Sequence, residues 1–202
     1  MTQPPRIGIF GGTFDPPHIG HLILAAEARH QLGLAEVLFV LTADPPHKQD
    51  RQITPLEQRL AMLAAALDGQ SAFTLSRVEI DRPGPHYALD TVALLRETYP
   101  DQHLVYLIGG DSLRDLPTWR EPARLLKSID ILGVMRRPFT ELDLDALHQQ
   151  LPQLEGKLEF VNSPLLEISS REIRARVVNG GHFRFFLPPN VYAYIQEHQL
   201  YR

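Results

Sequence analysis

The segment Ile7-Gly8-Ile9-Phe10-Gly11-Gly12-Thr13-Phe14-Asp15-Pro16-Pro17-His18-Ile19-Gly20-His21 constrains this chain more than any other. An apolar run breaks into paired glycines and paired prolines, then continues as a helical pattern carrying two histidines, which reads as strand, turn and helix. Glycines at the end of a strand let backbone approach a ligand closely, and the helix that follows aims its free N–H groups and positive dipole end at the same spot. His18 and His21, three residues apart in the first turns, share one face and both reach an anion held there. The combination points to phosphate chemistry.

Better-known glycine motifs do not account for it. The segment is not the dinucleotide fingerprint G-x-G-x-x-G, and the only Gly-Lys pair, Gly156-Lys157, is followed by Leu158, so there is no Walker A loop. A plainer account makes Asp15 a helix cap, the prolines a preset helix start and the histidines decoration of the first turn. The phosphate account is preferred because histidine carries a proton cheaply near neutral pH and this pair sits where a phosphate binds. Two histidines on one helical face also suit zinc, but the chain has no cysteine and no H-E-x-x-H pattern to complete a site, so no metal ligands are assigned.

Apolar runs at Ile7 to Phe10, Val37 to Leu41, Leu104 to Ile108 and Ile131 to Met135 alternate with helical patterns. This predicts an α/β fold, a single Rossmann-like doubly wound parallel sheet with helices on both faces. Ligands of such open sheets bind outside the carboxyl ends of the strands, so Gly11-Gly12, Thr42 to Lys48 and Gly109 to Asp111 are expected to converge on one cleft. Ile19, Leu22, Ile23 and Ala26 form the apolar stripe of a first helix that stops at Gly33. Thr54-Pro55-Leu56-Glu57 reads as a capping box opening a helix to about Asp68, and Phe73 to Ile80 reads as extended. After the turn Arg82-Pro83-Gly84-Pro85 comes a helix from about Leu89 to Thr98, with Tyr87 and Thr91 at its start. Ser169 and Glu172 form a second capping box for a short helix ending at Asn179-Gly180-Gly181, and Pro188-Pro189 introduce the last helix. Pro45 to Gln52 is the stretch expected to be mobile before ligand arrives.

Gly11 to His21 resembles the opening signature of the nucleotidylyltransferase superfamily, whose H-x-G-H histidines contact ATP phosphates. Within it the chain is most similar to the bacterial nicotinate-nucleotide adenylyltransferases. Pro45-Pro46-His47-Lys48, Asp90-Thr91, Gly109-Gly110-Asp111, Trp119, Ile168-Ser169-Ser170 with Ile173-Arg174, and the tail Val191-Tyr192-Ala193-Tyr194-Ile195 through Leu200-Tyr201 follow in the family's order. The resemblance implies in-line attack of the phosphate of nicotinate mononucleotide on the α-phosphorus of ATP, without a covalent enzyme intermediate, giving deamido-NAD and pyrophosphate. It implies catalytic roles for His18 and His21, and ATP contacts from Gly11, Gly12, Thr13, Phe14, Gly20, Ile168, Ser169, Ser170 and Arg174. Acceptor contacts are expected from Lys48, Tyr87, Thr91, Asp111 and Trp119, the last by stacking on a pyridine ring. Mg²⁺ is expected to arrive with ATP. Each residue also has a plainer role: Ser169 as a helix cap, Asp111 in a turn, Lys48 as a solvated loop cation, Trp119 as a core anchor. The chain departs from the family pattern at His86 and Ala88, where serine and threonine are common, at Arg171 in place of threonine, and at Phe139, where glycine usually follows Arg137-Pro138. These departures bear on substrate preference more than on reaction type.

Bulk properties bound the partners. A chain of 202 residues buries one substantial core, so residues 1–202 are expected to form one catalytic domain. A net charge of −4 leaves no basic footprint for nucleic acid, and the absence of cysteine excludes disulfides and thiol catalysis. With no signal-like start and no apolar run long enough to span a bilayer, a soluble cytoplasmic protein without a membrane partner is expected. Oligomeric state stays open, a homo-oligomer included. The competing readings are another adenylyltransferase of the superfamily, with phosphopantetheine as acceptor, and a nucleotide sensor that binds ATP without turnover.

Overall fold

The computed structural model describes residues 4–44, 53–136, 142–164 and 166–202. Six parallel strands form one sheet: β1 (Arg6–Gly12), β2 (Leu34–Leu41), β3 (Phe73–Ser76), β4 (His103–Gly109), β5 (Ile131–Arg136) and β6 (Leu158–Asn162). Their order across the sheet is β3-β2-β1-β4-β5-β6. The chain winds one way from β1 to β3 and the other way from β4 to β6, so the loops leaving β1 and β4 part from each other and open a crevice between them. Gly11-Gly12 ends β1 opposite Val40 and Leu41 of β2, and Gly109 ends β4 opposite Met135 of β5.

The sheet is buried on both faces, which is why its strands read as apolar runs. On one face Ile7, Ile9, Leu38, Leu104, Tyr106 and Ile108 pack with Val92 and Leu95 of α3 (Ala88–Thr98) and Leu125 and Leu126 of α5 (Pro122–Ser128). On the other, Phe10, Val37, Phe39, Val105 and Leu107 pack with Ala25 and Ala28 of α1 (Ile19–Gln31) and Leu63 and Leu67 of α2 (Leu56–Leu67). α2 has a second apolar side, Met62 and Ala66, which seats Ile173 of α7 (Ser170–Val178) and Val191 and Ile195 of α8 (Pro189–Glu197). That third cluster fastens the C-terminal helices beside the β1–α1 turn. Among the described residues no helix is long and apolar enough to cross a membrane.

The predicted strands and long helices lie where the sequence puts them, with Gly33 at φ +61° closing α1 and Pro188 and Pro189 opening α8. Two expectations change. Pro55, not Thr54, is the N-cap of α2; it is extended at φ −47° and ψ 143°, and its carbonyl accepts the first helical N–H bonds. Thr54 is instead tied to the β1–α1 turn, its N–H donating to Asp15 Oδ2. The extended reading of Phe73 to Ile80 holds only to Ser76, because Ile80 and Asp81 donate back to the Arg77 carbonyl and close a turn. The sequence reading also passes over β6 and the short helices α4 (Gly110–Asp115), α5 and α6 (Leu144–Gln150). β6 is a half-buried edge strand with Glu159 and Asn162 in it, and each short helix has too few turns to display a period. Pro45 to Gln52 and Arg137 to Phe139 lie outside the described residues.

Candidate active site

The turn between β1 and α1 folds back over its own strand. Phe14 takes the left-handed conformation at φ +46°, which puts its ring under the strand end. A Cβ on Gly12 would stand 2.8 Å from Phe14 Cζ, so only glycine leaves room there. The buried ring meets Phe10 edge-on at 5.8 Å and His21 at 5.0 Å, forming an aromatic floor for the histidine. Asp15 does not cap α1. Its buried carboxylate accepts from Tyr201 Oη at 2.7 Å and from the Thr54 N–H at 3.3 Å. Burial, together with this carboxylate, pushes the Tyr201 phenol well above its ordinary range, so it stays a neutral donor.

The N-cap of α1 is His18, extended at φ −141° and ψ 168° and only 5% exposed. Its backbone N–H donates to Nδ1 of His21 at 3.1 Å. A ring nitrogen that accepts cannot also carry the proton, so this bond puts the proton of neutral His21 on Nε2 and makes that edge a donor. The two rings stack at 3.7 Å with 25° between their planes. Gly20 is part of this construction, because a Cβ there would stand 3.0 Å from His18 Nδ1 and 3.1 Å from Cε1. Gly20→Ala therefore displaces His18 by a few tenths of an ångström while improving intrinsic helix propensity by up to about 1 kcal/mol. The expected result is roughly a tenfold loss of kcat with an unchanged or slightly raised Tm, read from steady-state rates and thermal denaturation of the same preparation.

The Ile168–Arg174 segment closes on this turn from a distance of more than 140 residues in sequence. Ile168 Cβ stands 3.7 Å from where a Gly20 Cβ would be, and the Ser170 hydroxyl donates to the Pro16 carbonyl at 2.8 Å. Arg174 donates to the Asp15 carbonyl at 2.5 Å, its Nη1 lying 3.9 Å from Asp15 Oδ2. Ser169 caps α7, its oxygen accepting from the Glu172 N–H at 3.2 Å. Glu172 turns to Arg176, 2.9 Å away. The donors of Ser170 and Arg174 thus hold the turn's backbone in this structure, and Arg171 is exposed.

A cleft of about 900 Å³ lies at the point where the strand order reverses. Of the expected site residues, Gly11, Gly12, Thr13, Tyr87, Thr91 and Trp119 line it. His18, His21, Phe14, Gly20 and the Ile168–Arg174 segment form the adjoining group, joined to the cleft through Gly11–Phe14. Trp119 stands edge-on to Tyr106 at 6.3 Å, and the Arg120 guanidinium lies 4.5 Å over the Tyr87 ring. His86 and Ala88, two departures from the family pattern, both line the cleft. Burial and the neighbouring Arg82 hold the His86 imidazole below its usual range. Asp111 is not among the lining residues; its exposed carboxylate is 3.5 Å from Arg114. Lys48 lies outside the described residues.

Several residues of the site carry no motif. Arg59, on α2 and 2% exposed, donates to the carbonyls of Thr13, Thr42, Ala43 and Thr54. Glu79, Tyr106 and Arg120 line the cleft. Only Arg59, a lone arginine on the core side of an alanine-rich helix, leaves a trace in the sequence. Among the described residues no group of three or more His, Asp or Glu could hold a metal ion.

The chain matches the cytidylyltransferase-like family over residues 9–176. It is 47% identical, over 98% of its length and 92% of the relative's, to a protein of Thermomicrobium roseum named a probable nicotinate-nucleotide adenylyltransferase. A protein of the same name from Roseiflexus sp. is 43% identical over the full length of both. Among solved structures, the nicotinic acid mononucleotide adenylyltransferase of Plasmodium falciparum complexed with NaAD superposes with a TM-score of 0.79 at 20% identity, covering 98% of this chain and 97% of that one. With this sheet order, this histidine turn and full-length identity of this extent, the chain belongs to the nicotinate-nucleotide adenylyltransferase family of cytidylyltransferase-like proteins.

Proposed function

We propose that this chain, acting as one cytoplasmic catalytic domain over residues 1–202, transfers the adenylyl group of ATP to nicotinate mononucleotide, forming nicotinate adenine dinucleotide (deamido-NAD) and pyrophosphate. The observation that carries the reading is the His18–His21 pair, stacked at 3.7 Å at the start of α1 and enclosed by the Ile168–Arg174 segment beside a cleft holding Trp119. An ionised phosphate oxygen of the acceptor attacks the α-phosphorus, and the bond from that phosphorus to the bridging oxygen of the β-phosphate breaks. The nucleophile is already charged, so no general base is needed. The protein's work is positioning and charge stabilisation.

His21 Nε2–H and His18 hold the oxygens on which negative charge builds, and Gly11, Gly12, Thr13, Phe14 and Gly20 let the triphosphate approach the backbone. The α7 N-terminus with Ile168, Ser169, Ser170 and Arg174 faces the leaving pyrophosphate. Trp119 and Tyr87 bracket the pyridine ring, Thr91 meets its substituent, and Lys48 and Asp111 complete acceptor binding. Mg²⁺ enters as the ATP complex, coordinated by phosphate and water. The buried Asp15 carboxylate is engaged by Tyr201 and the Thr54 N–H, so it serves the fold and not the ion.

The test is pyrophosphate release from MgATP with nicotinate mononucleotide, nicotinamide mononucleotide or phosphopantetheine as acceptor. Fast release with the first and weaker release with the second is the expected result. Release with phosphopantetheine alone would move the chain to another acceptor class, and ATP binding without release from any of the three would make it a sensor.

A further inference from the structure

We propose that Glu79 is a positioning residue that sets the direction of the Thr91 hydroxyl, and through it decides whether the cleft accepts the acid or the amide form of the acceptor's ring substituent. The inference rests on the reading of Thr91 as the group that meets this substituent.

Glu79 lies in the turn after β3, lines the cleft and is 6% exposed. Its Oε1 is 2.6 Å from Thr91 Oγ1, a short contact that a carboxylate and a hydroxyl make with the proton on either oxygen. Oε2 is buried with no hydrogen-bond partner among the described residues. An ionised carboxylate with one buried oxygen unpartnered is costly, whereas a neutral carboxyl leaves only a carbonyl-like oxygen there. The groups facing Glu79 do little to offset this. Arg82, from the same turn, reaches Thr91 Oγ1 at 3.4 Å and has its Nε buried and unpartnered. His86, before α3, is held below its usual range by burial and Arg82, partly offset by Asp44. Tyr106, from β4, is a buried phenol pushed far above its usual range. Arg120, on the same cleft, is stacked on Tyr87. Burial outweighs both the Thr91 bond and Arg82 and raises the Glu79 carboxyl above the ordinary carboxylate range.

Two hydrogen-bond patterns follow. When Glu79 is neutral, its O–H donates to Thr91 Oγ1, and the threonine proton, whose other acceptor is the Tyr87 carbonyl at 3.2 Å, turns from that carbonyl to a carboxylate entering the cleft. When Glu79 is ionised, it takes the threonine proton for itself. Thr91 then offers only lone pairs, which suit the N–H donors of an amide and repel a carboxylate. Acid preference is therefore present at low pH and is lost as pH rises through the Glu79 titration.

The experiment measures kcat/KM for nicotinate mononucleotide and for nicotinamide mononucleotide from pH 5 to 9 and takes their ratio. The phosphates of the two acceptors titrate alike and cancel. In the wild type the ratio is expected to fall by up to about tenfold per pH unit above the titration. Glu79→Gln, whose amide N–H donates to Thr91 at every pH, keeps the acid-favouring ratio without the slope. Thr91→Ser retains the slope and Thr91→Val removes it, which decides the matter even if Glu79→Gln fails to fold. A flat wild-type ratio, an unchanged slope in Glu79→Gln, or a slope surviving in Thr91→Val overturns the proposal. Wild-type protein that turns over neither acceptor refutes the proposed reaction instead, and the same ratio is then taken from the dissociation constants of the two mononucleotides.

Discussion

Alanine at His21 is expected to lower the kcat of pyrophosphate release by about 10²- to 10³-fold, with KM for MgATP changed only a few-fold. The size follows from how fully the ring is fixed before substrate arrives. The His18 N–H on Nδ1 settles the tautomer, the Phe14 edge at 5.0 Å supports one side and the His18 ring at 3.7 Å covers a face. A donor held in this way costs no reorganisation when charge develops, which is the condition under which one hydrogen bond is worth several kcal/mol to a transition state. His18→Ala removes the stack but keeps the backbone N–H that orients His21, so its separate effect on ring placement is smaller. Rapid-mix single-turnover rates at saturating MgATP distinguish chemistry from product release. A loss of less than about threefold at His21 would remove it from the reaction.

What the sequence made legible is mostly what is local in the chain. The strand-turn-helix of residues 7–21 announces itself because glycines, prolines and histidines each demand a specific backbone or partner within a few residues. The helix end at Gly33 and the Ser169 half of the α7 capping box are equally local and stand as expected, whereas the Glu172 side chain pairs with Arg176 instead of closing the box. Thr54 fails as a cap for the opposite reason: its N–H is taken by Asp15, 39 residues away, and a capping-box pattern cannot register that competition. The same limit applies to the site. Ser170 and Arg174 carry the donors a phosphate cradle needs, yet in this structure those donors bond the Pro16 and Asp15 carbonyls. A donor's identity is written in the sequence; its choice of acceptor is set by packing. Glu79 is hidden altogether, because a carboxylate in a half-apolar run reads as a solvent-facing residue until the turn at Arg77 carries it into the cleft.

The tie between Tyr201 and Asp15 shows how the C-terminus enters the site's construction. The residues are 186 apart, and the bond forms only because α7 and α8 dock on Met62 and Ala66 of α2. α2 therefore supports the β1–α1 turn from two sides, through the C-terminal helices it carries and through Arg59.

Arg59→Ala is expected to cost about 3–5 kcal/mol of folding stability and to raise KM for MgATP. The guanidinium ties the strand-end loops together: Nη1 donates to Thr42 O at 2.7 Å and Thr13 O at 3.2 Å, Nη2 to Ala43 O at 2.8 Å, and Nε to Thr54 O at 2.9 Å. Burial lowers its pKa, partly offset by Asp15, Tyr201 and Asp44, but arginine stays charged at any working pH. Truncation leaves four partly buried carbonyls without their donor, and the fork geometry explains why Arg59→Lys recovers only part of the loss: one ammonium on a flexible stem has three donors and cannot span four acceptors. Thr13 and Thr42 both line the cleft, so loosening their loops displaces the surface that receives the nucleotide. Urea unfolding should show a lower midpoint at an unchanged m-value. A shift equivalent to less than about 1 kcal/mol would mean that water enters and satisfies the carbonyls, and the arginine would then be a filler of the turn and not its clasp.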